Sequence, residues 1–212
     1  MTAPPATPAR TIVSRRMARP ARRDQLLNAA AAAFLERGFD GTSMETVADH
    51  AGVTRMLVYR HFESKHVLYR AVLTSAIEHV RLAVSTAAPG VEPGIAGRLM
   101  HAARQTPDAF RLLWRHARHE PAFAADALAF RRIAADFAEA LLRDVIPDPH
   151  RRHWSAMLVV DFLYAGICNH LDEGDPTDDD AFARHLHTGV SALLGAWGDP
   201  DQLAARRAAL QP

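Results

Sequence analysis

Four residues within seven positions, Arg55, Met56, Tyr59 and His61, carry groups suited to the edges of bases and the oxygens of phosphates. A guanidinium bonds bidentately to guanine, and a thioether can meet the methyl of thymine. Phenol and imidazole groups commonly reach the phosphate backbone. Thr54 precedes them as a helix cap, and its hydroxyl with the open amides of that helix start suits a phosphate oxygen. Lys65 is the only lysine in the chain. It falls in the first turn of the next helix, where the helix dipole disfavours a cation, a position that makes sense beside a phosphate.

Three short elements must hold these groups. Thr42, with Glu45 three residues later, reads as a capping box opening a helix. That helix carries Val47, Ala48 and Ala51 on one side and stops at Gly52, a residue suited to a left-handed helix end. Ala48 allows a second helix to cross closely, and Val53 plugs the corner. The second helix runs from Arg55 to Arg60, with Leu57 and Val58 facing inward and Phe62 in the core. A preceding helix from about Arg22 to Arg37 places Leu26, Leu27, Ala30 and Phe34 on one stripe and ends at Gly38. Ser64 caps a long following helix to about Thr86, whose Val67, Leu68, Ala71, Val72 and Leu73 pack back on the bundle.

The run TSMETVADHAGVT, then LVYRHF and Lys65, resembles the DNA-binding domain of TetR-family transcriptional regulators over about residues 22–72. The resemblance implies that Arg55, Met56, Tyr59, His61 and Lys65 touch DNA, with Thr42, Ser43 and Thr54 near phosphates. Met56 stands where many members of the family have a small residue or proline. The resemblance further implies that the remaining 140 or so residues bind a small molecule and form a homodimer, so that two recognition helices meet a palindromic operator in double-stranded DNA.

That second part reads as further helices at about 95–105, 108–119, 123–145, 151–172 and 179–197, punctuated by prolines. The expected architecture is all-α, about nine helices. Its parts are a disordered basic arm over 1–19, a helix-turn-helix domain over 20–70, and a helical effector-binding and dimerisation domain over 71–212. The helices near 151–172 and 179–197 carry Ala165, Gly166, Gly189, Ala192 and Gly195, which permit close approach. A dimer interface and tight packing within one chain explain these residues equally well. Pocket candidates are Phe110, Trp114, Phe130, Phe137, Met157, Asp161 and Tyr164. Asp161 stands out, because a charge within MLVVDFLYAGI needs a partner such as Arg104 or a histidine, a solvated cavity, or a ligand.

Charge is segregated: residues 1–70 carry a net +5 and residues 71–212 a net −4. A basic end beside an acidic remainder fits one face turned to phosphate. The arm could lie along the DNA backbone, enter the minor groove or be a solvated tail. Cys168 is the only cysteine, so no internal disulfide forms, which fits a reducing cytoplasm. No apolar run reaches the roughly 20 residues of a membrane span. His116 with His119, and His185 with His187, are local pairs, with Glu120 and Asp161 as possible carboxylates but no convincingly spaced third ligand, so no metal or other cofactor is expected. Cys168 and His170 point to different helical faces. With no phosphate loop, nucleophile elbow or acid–base pair, an enzyme is not expected. A TetR-like activator, or a DNA-binding protein controlled by protein contacts without an effector, stays open beside a ligand-released repressor.

Overall fold

A computed structural model describes residues 19–85 and 94–198. Among these residues it is all-α, with nine α-helices and no strand. They are α1 (Arg19–Gly41), α2 (Met44–Ala51), α3 (Arg55–His61), α4 (Lys65–Ser85), α5 (Ile95–Gln105), α6 (Pro107–Arg111), α7 (Ala124–Leu142), α8 (Pro149–Glu173) and α9 (Asp179–Trp197). The basic arm and the segment from Asp199 lie outside the described residues, except that α1 already begins at Arg19. No described helix is long and apolar enough to cross a membrane.

Caps written in the sequence set the first four helices. Gly38 interrupts α1 at φ 69°, ψ 175°, a conformation available in practice only to glycine, so the regular helix stops where expected. Gly52 ends α2 in the left-handed region at φ 62°. The Ser64 hydroxyl accepts the Val67 amide at 3.2 Å and opens α4. Leu26, Ala30, Phe34, Val47, Ala48, Val58 and Phe62 are buried and form one core with Leu68, Tyr69, Val72, Leu73 and Ala76 of α4. Val67 was expected in that core and is instead exposed, because it precedes the stripe formed by 68, 72 and 76 by one residue.

The expected helix over 108–119 is not continuous. After α6 the chain widens into a π-helical turn, Leu112–His116, and tightens into a 3₁₀ turn, Ala117–His119. Leu112, Leu113 and Trp114 are all buried. An α-helix swings successive residues by about 100°, so three in a row spread over more than half its circumference; a wider turn keeps them on the inner side.

The C-terminal half is tied by polar contacts as well as apolar packing. Arg104 on α5 grips Asp179 at the start of α9 through two bonds of 2.9 and 2.6 Å. The buried His170 of α8 donates from Nε2 to the same carboxylate at 2.9 Å. The Arg104 bond, aided by His170 and opposed by partial burial, holds the Asp179 carboxyl below the usual carboxylate range. A depressed folded-state pKa adds stability that is present above the ordinary value and lost as pH falls through the folded value. Asp179→Asn should therefore cost about 1–3 kcal/mol at pH 7, roughly 3–10 °C in melting temperature. The gap between variant and parent should narrow as melts are taken to pH values below the ordinary carboxylate pKa.

Candidate nucleic-acid interface

The two short helices that present the expected contacts are held by their caps and their buried sides. Ser43 caps α2: its hydroxyl accepts the Thr46 amide at 3.0 Å, and the Thr46 hydroxyl reaches back to the Ser43 amide at 3.4 Å. The capping box is thus Ser43–Thr46, correcting the expected Thr42–Glu45. Thr42 is buried, and its hydroxyl lies 2.7 Å from the Gly38 carbonyl and 3.0 Å from that of Ala33. It therefore serves the end of α1 rather than facing phosphate.

At α3 the Thr54 hydroxyl accepts the Leu57 amide, and Val58 fills the core below. Gln25 fastens the framework by donating to the Ala51 carbonyl at 2.8 Å. Arg55, Met56, Tyr59 and Arg60 all lie on the exposed side, Met56 at 82%. The Arg55 guanidinium sits 5.3 Å from the centre of the Tyr59 ring and donates to its hydroxyl at 3.4 Å. The pair is a preformed donor–aromatic unit at the helix surface. Arg60, an exposed cation on α3, had no distinguishing mark in the sequence. His61 is half-buried, with its ring 6.4 Å from that of Phe62.

Lys65 has a structural duty. Its ammonium donates to the Phe39 carbonyl at 2.7 Å and the Asp40 carbonyl at 3.4 Å, and lies 4.3 Å from the Phe39 ring centre. The carbonyls that end α1 supply the negative partner that the start of α4 cannot. Lys65→Met should lower stability by about 1–2 kcal/mol in denaturant titration, before any DNA is added.

Residues 26–72 match the model of the family described as bacterial regulatory proteins, TetR family. The domain over these residues is therefore a TetR-family domain. It is 43% identical over 65 residues to the HTH-type transcriptional activator FasR of Mycolicibacterium smegmatis, covering 31% of this chain and 30% of that one. It is 39% identical over 57 residues to the HTH-type transcriptional repressor KstR2 of the same organism, covering 27% and 28%. The chain thus matches under a third of the length of these curated relatives. The TetR fold extends beyond the match: a TetR-family transcriptional regulator from Streptomyces coelicolor superposes with a TM-score of 0.59 at 25% identity, over 92% of both chains. These TetR relatives are transcriptional regulators, not enzymes.

Beyond the TetR domain the expected pocket residues divide. Phe110, Trp114, Phe130 and Tyr164 are buried against one another, with Tyr164 stacked 4.6 Å from Trp114 and 5.5 Å from Phe110. Phe137 and Met157 are exposed and do not join them. Asp161 pairs with Arg131 of α7, not with Arg104, and Arg131 in turn lies over Trp114 at 4.4 Å. A cleft of about 190 Å³ lies elsewhere, lined by Met100, His101, Thr177, Asp179 and Asp180 among others. Among the described residues no three His, Cys, Asp or Glu side chains gather as a metal site. Gly166 and Gly189 serve packing within the chain, since an added Cβ would come within 2.8 Å of Leu186 and of Phe162. Gly195 meets nothing within 4 Å.

Proposed function

We propose that this chain is a cytoplasmic DNA-binding transcriptional regulator that acts as a homodimer on a palindromic operator and is released from it by a small-molecule effector, as a repressor. The exposed α3 surface of Arg55, Met56 and Tyr59, on a helix capped and seated within a TetR-family domain, carries this reading. Ser43 and Thr54, exposed at the starts of α2 and α3, are the proposed phosphate contacts, with His61 and Lys65 beside them. On α8 the spaced apolar residues Trp154, Leu158 and Phe162 are each more than a third exposed, which supports a dimer contact through α8 and α9. We assign the effector site to the region between α7 and α8, where the Arg131–Asp161 pair adjoins the aromatic cluster of Phe110, Trp114 and Tyr164. An effector acts only through a preference for one conformer, so the released state must bind it more tightly. The FasR relative, an activator, supports a second reading in which the same DNA contact recruits transcription.

The test is binding to a fluorescent duplex of the DNA flanking its own gene, at two salt concentrations and beside a scrambled duplex. Salt-sensitive, sequence-selective binding supports the reading. Equal binding to both duplexes argues against a specific operator in that DNA, and no binding to either sinks the DNA-binding claim. Transcription from that promoter separates repressor from activator.

A further inference from the structure

Tyr69 of α4 is 1% exposed, and its hydroxyl has no hydrogen-bond partner. It lies where the TetR domain meets the rest of the chain, stacked 4.2 Å from Phe123 and edge-on to Phe34 and Phe39 at 4.8 and 5.4 Å. Tyrosine hydroxyls this buried are normally satisfied, so an idle one calls for an explanation. Burial pushes the phenol pKa up, and the Glu120 carboxylate, close enough to act on it, pushes it further in the same direction. Tyr69 is therefore a neutral donor near a carboxylate that it does not reach.

Glu120 is occupied elsewhere. Its Oε1 accepts the Phe39 amide at 3.3 Å, a long bond that ties the end of α1 to the second part of the chain. The residue follows directly on the π-helical and 3₁₀ turns of 112–119, the kind of irregular helix that often marks a hinge. Trp114, within the π-helical turn, stacks on Tyr164 in the aromatic cluster. A disturbance of that cluster thus has a short path through seven residues of chain to Glu120.

We propose that Glu120 is a positioning residue with two stations: it holds the Phe39 amide in the state seen here and turns to the Tyr69 hydroxyl in a second state, so that its choice of donor sets how α1 and α3 sit relative to α4. In the second state the idle phenol gains an acceptor and the end of α1 is let go. The role in DNA release rests on the regulator reading above; the two stations do not.

The test is amide hydrogen exchange of the full chain without DNA, read at Phe39 by NMR, alongside melting temperature. Tyr69→Phe should slow exchange at Phe39 about fivefold to tenfold, the worth of one hydrogen bond, by removing the competing station. It should leave the melting temperature unchanged or higher, since no bond in the present state is lost. Glu120→Ala should speed Phe39 exchange by a similar factor, and adding Tyr69→Phe to it should change nothing more. Unchanged exchange in Tyr69→Phe overturns the proposal, as does an effect of Tyr69→Phe that persists without Glu120. A merely structural Tyr69 would lower the melting temperature and speed exchange throughout α1. Because no DNA enters these measurements, loss of operator binding by the unaltered protein would remove the regulator reading without touching this result.

Discussion

Arg55→Ala should weaken operator binding about tenfold to a hundredfold, the loss of one bidentate base contact worth about 1–3 kcal/mol. The structure gives the reason to single it out. Arg55 is exposed on α3 yet not loose, because Tyr59 one turn later lies beneath the guanidinium and accepts from it. An ordered fork gives up less conformational freedom on binding than a free one. Tyr59→Ala should accordingly weaken binding on its own, and the double variant should lose less than the sum, since each residue works partly through the other. Neither side chain supports the core, so melting should move by no more than about 0.5 kcal/mol equivalent. Salt then separates base from backbone: losing a base contact leaves the slope of log affinity against log salt unchanged, while losing a phosphate contact flattens it by about one. Unaltered operator affinity in the double variant would move the contact off α3.

Much of the TetR domain is legible in the sequence, because its helix ends are fixed by residues with a single physical use. Gly38 and Gly52 stop helices at positive φ, and Thr54 and Ser64 start them with a hydroxyl. The mistake at Thr42 shows the limit of that logic. Two adjacent hydroxyls each have a polar residue three positions on, so sequence cannot say which one turns outward. The kink at Gly38 decides, by bringing the α1 carbonyls over Thr42 and leaving Ser43 to cap. Lys65 is a parallel case. Its awkward place at a helix start was visible, but the relief comes from the end of another helix, a contact across 26 residues.

The second half was less legible, and for a different reason. Periodicity tells which residues share a helix face, not which neighbour that face meets. For Asp161 the sequence leaves a partner, a solvated cavity or a ligand open, and the pairing with Arg131 rather than Arg104 depends on α7 lying beside α8. Phe137 and Met157 fall on plausible apolar stripes, and only the packing shows those stripes to be exposed. Glu120 stands out in the sequence only as a possible carboxylate near His116 and His119, since its bond to an amide 81 residues away has no local signature.

Tyr164→Ala should cost about 3–5 kcal/mol, or roughly 10 °C in melting temperature for a chain of this size. Tyr164 is 4% exposed, faces Phe110 and Trp114 in stacked geometry and meets Phe130 edge-on. Removing the ring takes away both its burial and three aromatic contacts, and the helices around it cannot close the gap completely. Phe137→Ala, by contrast, should cost about 1 kcal/mol or less, because that ring is already 38% in solvent. The difference bears directly on where an effector can sit. A cluster whose truncation costs this much is a filled core in the ligand-free protein, so an effector must part these rings and draw on its own binding energy to do so. If Tyr164→Ala melts within a degree or two of the parent, the rings line open space instead. In that case the cluster is a preformed pocket, and an effector need only fill it.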